Sequence, residues 1–574
     1  MTLTTRLLRR AAALAAAGTL AVGLGVGATP AAADPAHSAT PIRLIAFNDL
    51  HGNLEPPTGS SGRVTLSDGS TVDAGGAAYL ATHLRQLRQE VRHSLVLSVG
   101  DNIGASPLAS ALFHDEPTIE VLNRLGVQAS AIGNHELDEG YQELLRIQNG
   151  GCHPQDGCQF RSRYTGAHWP YLGANVTLRD TGLPALLPFT VTKVQGIPIG
   201  IIGLPLQDLP TLVSSDGIRN LTFGPEVEAI NRHADLLDRM GVKSIVVLLH
   251  QGDNTEGGGP DDCNTKPGPA RAIAEQVSPK VDIVFTGHSH QQYVCTVNDP
   301  AGQPRPLVQG SSFGRILSVV DVRVDRRTKD VIRSETRAHN HVVTRDVTPD
   351  PEVQRIIDEA VQKAEPIANR PVGTIGEDLS RDAAPSGESP LGNLIADAQL
   401  EATRSAGAQI ALMNPGGVRA DLTYASSPAG EGDGVVTYGE AYTVQPFGNV
   451  LQTITLTGAQ LKTVLEQQWQ PQPDGSVLVR ILQPSASLHY TWSQSAPVGS
   501  KVSNITIDGQ PVDPNATYRV TVNNFLSGGG DGFTELTQGT ELTGGPVDLD
   551  AFLTYLQANP GLQAPATDRI TTTA

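Results

Sequence analysis

The chain has 574 residues, with 59 Asp and Glu against 41 Lys and Arg and a formal net charge of −18 at pH 7. That length exceeds one ordinary domain and implies at least two. So acidic a chain is a poor non-specific partner for a polynucleotide, which leaves a small anionic substrate gripped by local cations as the compatible class.

Residues 1–33 read as an export signal and not as part of the fold. Arg6, Arg9 and Arg10 precede an Ala- and Gly-rich apolar run, and "TPAAAD" supplies a small-residue cleavage site after Ala33. An uncleaved membrane anchor is the rival reading. No later stretch is apolar enough to span a bilayer. The expectation is therefore a secreted protein, free or associated with the cell wall, with no stable membrane insertion. All four cysteines follow the signal. An even count in an exported chain favours two disulfides, Cys152–Cys158 and Cys263–Cys295, over a cysteine metal site, which would want a Cys-x-x-Cys pair.

Between 34 and 345, short apolar runs alternate with amphipathic stretches such as "GGAAYLATHLRQLRQEV" (75–91). The runs are "IRLIAFNDLHG" (42–52), "HSLVLSVGDN" (93–102), "QASAIGNHE" (128–136), "IPIGIIGL" (197–204), "KSIVVLLHQG" (243–252) and "VDIVFTGHSH" (281–290). All six read as buried strands, and the alternation predicts an α/β layered fold. The segment 346–371 reads as one charged linker helix, opened by Asp350 and Pro351 and stopped by Pro371. Beyond it, 372–574 forms a second domain. A helix is expected over 389–405, followed by strands in "QIALMNPGGVR", "VLQTITLTG" and "TYRVTVNNF".

Five of the first six runs end in ligand-type side chains. These are Asp49 and His51; Asp101 and Asn102; Asn134 and His135; His250; and His288 and His290. Ligands of open α/β sheets bind outside the carboxyl ends of the strands, so parallel strands would bring these ends together. Carboxylate, amide and imidazole in one place suit two divalent ions of the Zn, Mn or Co type. A carboxylate shared by two such ions sets them about 3.5–4 Å apart, able to clamp both oxygens of an in-line phosphoryl displacement.

The ordered set "FNDLHG", "VGDN", "GNHELD", "LLHQG" and "GHSH" resembles the binuclear metallophosphatases. With "NPGGVR" (414–419), "QPFGN" (445–449) and "GGGDGF" (528–533), it is similar to the secreted 5′-nucleotidase family, which includes UDP-sugar hydrolases and 2′,3′-cyclic-nucleotide phosphodiesterases. The resemblance covers nearly the whole chain after the signal. It implies an αββα metallophosphatase domain and an α+β substrate-binding domain joined by the linker helix. Asp49, His51, Asp101 and His290 would hold one ion, and Asp101, Asn134, His250 and His288 the other. His290 stands where many relatives carry Gln or Asn. His135 and Asp138 would form a catalytic dyad, with Asp138 orienting the imidazole; a helix N-cap is the rival role for Asp138. Glu136 reads as structural and Glu139 as solvated.

In the second domain the same resemblance assigns Asn414, Gly417 and Arg419 to a substrate loop, and Asn449 and Arg381 to substrate binding. Arg381 would grip phosphate, with a surface arginine as its rival reading. Some relatives carry a second arginine where this chain has Pro385. Phe447 and Phe525 would sandwich a base, and Asp531 would bind ribose hydroxyls, unless it is only a turn carboxylate. The implied activity is hydrolysis of a phosphate ester of an extracellular nucleotide by a metal-activated water. A 2′,3′-cyclic nucleotide, a nucleotide sugar and a dinucleotide stay open as substrates. A catalytically inactive nucleotide-binding or adhesion protein and a sulfur-ester hydrolase are the readings of other classes. Oligomeric state is not legible.

Overall fold

A computed structural model describes residues 39–573 apart from 214, 267, 428–429 and 473–475. The export signal expected at 1–33 lies outside the described residues.

Two six-stranded sheets form the N-terminal half. The first carries β1 (Ala39–Phe47), β2 (Ser94–Ser98) and β3 (Ala129–Ala131) side by side and parallel. The second carries β4 (Ile197–Pro205), β5 (Ser244–His250) and β6 (Ile283–Thr286), also parallel. Antiparallel strands close the other side of β1 and the far edges of the second sheet. Period-2 alternation sorts the side chains of each strand. Leu44 and Ala46 of β1 join Leu95 and Leu97 of β2 in one cluster with Ile199, Ile201, Val246, Leu248 and Phe285 of the other sheet. Ile45 and Phe47 point the opposite way, into a cluster with helix residues Leu80, Leu84, Ile119 and Leu122. The second sheet packs its own outer face on Ile230, Ala234 and Leu237 of helix Glu226–Arg239. Helix, sheet, sheet, helix is thus the layer order.

The linker helix runs Pro351–Ala368. Asp350 caps it, its side chain accepting from the backbone N–H of Glu352 and Val353, and Pro351 occupies the first turn. Its buried residues Val353, Ile356, Ile357, Ala360 and Ala364 recur at helical spacing and pack into the N-terminal core. The linker is therefore fixed to the first domain. Pro371 begins the next strand.

In the C-terminal half, Ser389 caps helix Pro390–Thr403. Strands β7 (Ile410–Met413), β8 (Val450–Thr457) and β9 (Thr517–Asn523) lie in a five-stranded sheet with β9 at its centre. A separate four-stranded sheet contains Leu488–Ser493 and Val502–Ile507. The disulfides are Cys152–Cys158 and Cys263–Cys295, as expected from the sequence. Among the described residues no helix is long and apolar enough to cross a membrane.

Candidate metal centre

The carboxyl ends of β1, β2 and β3 meet those of β5 and β6. Three overlapping groups result, each with its ligand atoms within 4.8 Å of one another: Asp49, His51 and His290; His51, Asp101 and His135; Asp101, His250 and His288. Asp101 belongs to two of them, with Oδ2 3.8 Å from His51 Nε2 and 3.1 Å from His250 Nε2. Asn134 joins through Oδ1, 3.0 Å from His288 Nδ1. His290 Nε2 reaches to 3.1 Å from His51 Nε2 and 3.7 Å from Asp49 Oδ1. All seven residues expected as ligands therefore converge.

Their orientation fits cations. Nδ1 of His51 faces Gly104 O at 2.9 Å and Nδ1 of His250 faces Val99 O at 2.8 Å. A carbonyl only accepts, so each Nδ1 carries the proton and each Nε2 lone pair points inward. His250 Nε2 is buried and faces Asp101 Oδ2 at 3.1 Å. Burial pushes His51 and His290 well below the ordinary imidazole range and His288 down to about 3. Burial also opposes charge on His250, but Asp101, Asp49 and Glu136 outweigh it and raise His250 to about 9. Burial favours neutral imidazoles at His51, His288 and His290, and the carboxylates that raise His250 would draw in a metal cation as they do a proton, which makes the group a donor set for divalent metal ions.

The backbone is bent to make this set. Asp49, His51, Asp101, His288 and His290 all have positive φ, between 48° and 70°. Non-glycine residues seldom adopt that conformation, and strain of this kind, of order 1–3 kcal/mol each, gathers at functional sites. Gly133 is required by close approach: a Cβ there would collide with Asp101 Oδ1 and come within 2.6 Å of His250 Cε1.

Several supports were not singled out from the sequence. Asn48 donates to Asp49 Oδ2 (2.5 Å) and accepts from Gly310 N (3.0 Å), which ties the first ligand to the neighbouring loop. Phe313 packs its ring against His51 and His290. Asn48 stood inside "FNDLHG", whereas nothing near Phe313 in the sequence marks it. Asn102 turns away from the centre, bonded to Ser98 Oγ and Ser130 Oγ. Glu136, buried, accepts from the N–H groups of Asp101, Asn102 and Gly133 at 2.9, 2.8 and 2.6 Å and so holds two ligand loops together.

His135 Nδ1 lies 2.8 Å from Asp138 Oδ2. Asp138 closes a short 3₁₀ turn and is no helix N-cap; Gly140 occupies that position before helix Tyr141–Asn149. Burial disfavours charge on His135, but Asp138 and Asp101 outweigh it and raise its pKa. Glu139 is exposed yet pairs with His114 Nδ1 at 3.4 Å, so it is not merely solvated.

The second domain presents its own residues to this centre. The Phe447 ring stacks on His135, centroids 5.7 Å apart and planes 22° from parallel. The Arg419 guanidinium lies 5.8 Å from the Phe447 ring, and its Nη2 is buried without a partner. Burial and the nearby Arg381 lower Arg419 to about 10. Arg381 donates to Arg419 O (2.9 Å) and, across the domains, to Ser61 Oγ (3.2 Å). Arg419, Ser61 and Phe313 all line one cavity of about 1070 Å³ between the domains and the linker helix. Asn414 and Asp531 are bonded to each other (3.0 Å), and Asn523 donates to Asn414. Arg480 sits 3.4 Å from Asp531 and was not singled out from the sequence. Gly417 ends the 3₁₀ turn Pro415–Gly417 that follows Asn414. Phe525 packs partly into the C-terminal core beneath Gly530. Asn449 donates to Asp548 (3.2 Å), a bond within its own domain.

Comparison with known proteins agrees with this architecture. Residues 42–292 match the family model for calcineurin-like phosphoesterases, and residues 367–538 match that for the 5′-nucleotidase C-terminal domain. The cell wall protein Lmo0130 of Listeria monocytogenes is 32% identical over 568 residues, covering 94% of this chain and 70% of that protein. The endonuclease YhcR of Bacillus subtilis is 33% identical over 524 residues, 90% of this chain; the chain spans only 40% of that relative's length. The crystal structure of a 5′-nucleotidase precursor from Thermus thermophilus superposes with a TM-score of 0.76 at 28% identity, covering 93% of this chain and 99% of that one. The chain belongs to the 5′-nucleotidase family, a metallophosphatase domain joined to a 5′-nucleotidase C-terminal domain.

Proposed function

We propose that the protein is an exported, two-metal 5′-nucleotidase that converts extracellular nucleotides to nucleoside and phosphate. The observation that carries this reading is Arg419: a guanidinium whose buried Nη2 has no partner, delivered by the substrate-binding domain to the edge of the metal centre. A buried donor without a partner is costly, and a phosphate oxygen removes the cost.

Asp49, His51, Asp101 and His290 would hold one ion and Asp101, Asn134, His250 and His288 the other. When bound, such ions activate water and offset phosphoryl charge. His135, whose pKa Asp138 and Asp101 raise against the effect of burial, adds a donor to the phosphoryl oxygens as charge builds there. Arg419 clamps phosphate, while Arg381 braces Arg419 through its carbonyl. Phe447 and Phe525 supply aromatic faces for the base, and Asp531, set by Asn414, accepts from ribose hydroxyls. Gly417 and Asn449 shape the loops around them.

The test is phosphate release from AMP, ATP, 3′-AMP, 2′,3′-cyclic AMP and UDP-glucose with Mn or Zn, and His135→Ala as control. Rapid turnover of AMP, lost in the variant, is expected. Preference for the cyclic or sugar nucleotide would keep the site and change the substrate. Nucleotide binding without turnover under any metal would overturn the catalytic reading in favour of a capture protein.

A further inference from the structure

The two-stranded ribbon that follows helix Gly458–Glu466 carries two side chains with no role in the reaction above. Gln470 stands on strand Trp469–Pro471, and Arg480 follows the antiparallel partner strand Val477–Val479. Together they close a ring around Asp531. Arg480 Nε lies 3.4 Å from Asp531 Oδ1, Arg480 Nη1 donates to Gln470 Oε1 (3.3 Å), and Gln470 Nε2 donates to the backbone carbonyl of Asp531 (2.6 Å). The backbone N–H of Arg480 is itself tied to Gln468 O at 2.9 Å. Asn414 Nδ2 donates to the other carboxylate oxygen, Asp531 Oδ2.

The ring holds a backbone that is otherwise unfavourable. Asp531 has φ 55°, between Gly529 at 88° and Gly532 at 81°, a conformation that a non-glycine residue seldom keeps without support. A Cβ on Gly532 would come within 2.7 Å of Gln470 Nε2, so the turn and the glutamine are fitted to each other. Burial raises the Asp531 pKa, while Arg480 and the Asn414 amide oppose that and favour the charged form. A charged carboxylate only accepts, and it offers about four lone-pair sites. With one partner on each oxygen, both oxygens keep capacity for a further donor, which suits two adjacent hydroxyls. The turn Gly530–Gly532 also lies against the turn Leu209–Thr211 of the first domain. Burial lowers His288 to about 3, and repulsion by His250 and by Arg480 adds to it, so the arginine's charge is felt at the metal centre. The brace therefore stands at the domain boundary, beside the reacting groups.

We propose that Arg480 is a positioning residue for ribose recognition, bracing Asp531 together with Gln470 so that both carboxylate oxygens meet the vicinal 2′- and 3′-hydroxyls of a ribonucleotide. The assignment deepens the reading of Asp531 given above and rests on it. A ribose diol is then preferred to a deoxyribose, because a sugar without hydroxyls leaves a shielded carboxylate with unmet acceptors. Arg480 acts through Asp531 and needs no contact with the substrate. Lysine would keep the charge but not the planar fork that reaches Asp531 and Gln470 at once.

The test measures binding of adenosine and of 2′,3′-dideoxyadenosine to the full chain by titration calorimetry, for wild type, Arg480→Met, Arg480→Lys and Gln470→Ala. Neither ligand carries phosphate, so the readout needs no turnover. A chain that fails to hydrolyse AMP but still prefers adenosine would sink the nucleotidase reading and leave this one standing. Wild type is expected to bind adenosine roughly tenfold more tightly than the dideoxy analogue. That preference should fall to near parity in Arg480→Met, recover partly in Arg480→Lys and weaken in Gln470→Ala. A preference retained in Arg480→Met, a parallel loss of both ligands in every variant, or no preference in wild type would overturn the proposal.

Discussion

Phe447 and His135 are 312 residues apart in sequence, yet their rings stack at 5.7 Å across the domain boundary. The C-terminal face is thus closed onto the metal centre, and an aromatic plane stands beside the imidazole that would face phosphate. Base stacking on such a plane contributes roughly 1–3 kcal/mol. Phe447→Ala is expected to raise KM for AMP about 5- to 100-fold while barely changing hydrolysis of p-nitrophenyl phosphate, which has no nucleobase. Equal losses on both substrates would remove Phe447 from base recognition.

Asp138 would act on chemistry through His135. Its carboxylate keeps the imidazole oriented and raised toward the charged form. Asp138→Asn keeps the shape and loses the charge, so kcat should fall roughly 10- to 100-fold with little change in KM. Unchanged kcat with intact metal content would assign the pair to structure alone.

Arg419 makes a different demand. Its partner-free Nη2 is buried, and a hydrogen bond from a charged donor contributes about 1.5–3 kcal/mol. Arg419→Ala should cost about 10- to 100-fold in kcat/KM, and Arg419→Lys should recover little, because a point charge cannot replace a planar fork. Full rescue by lysine would show that only charge matters.

Gly133 tests the centre sterically. The Cβ of Gly133→Ala would press on Asp101 and His250, the shared carboxylate and its imidazole neighbour. Metal content measured after dialysis should drop by at least one ion per chain while far-ultraviolet circular dichroism stays unchanged. Full retention of metal would mean that the loop yields without cost.

A pH effect arises far from the site. His83 Nδ1 and His341 Nε2 lie 2.9 Å apart, joining helix Ala77–Gln89 to strand Arg337–Val342. Burial, with His83 and His339 adding repulsion, lowers His341 to about 4. A histidine whose folded pKa is depressed takes its proton later than in the unfolded chain. Stability is therefore untouched above about pH 6.5 and is lost as pH falls toward 4. The urea midpoint of His341→Gln should decline less steeply than wild type across that window. Parallel curves would exclude the pair as a cause.

Much of this was legible because continuous apolar runs such as "KSIVVLLHQG" leave little choice but buried strands, and ligands at their ends follow directly. The cysteine pairing was legible for a similar reason, four residues allowing few partitions. The division of six parallel strands between two sheets was not, since strand neighbours are set by long-range packing. Nor was the fate of Asn102, which has the chemistry of a ligand but is turned aside by Ser98 and Ser130. Asp138 kept two readings until the helix start at Gly140 removed the cap. Glu139 read as solvated because its partner, His114, is 25 residues upstream in an unusual backbone conformation.

Neither sheet of the first domain owns a complete ligand set. Asp49, His51, Asp101 and Asn134 come from one, and His250, His288 and His290 from the other. The centre therefore exists only once the two halves have docked along their shared face. The first sheet itself is completed only by Ile316–Asp325 and Arg337–Val342, which follow every strand of the second sheet in the chain, so the two sheets must fold together for the ligands to meet.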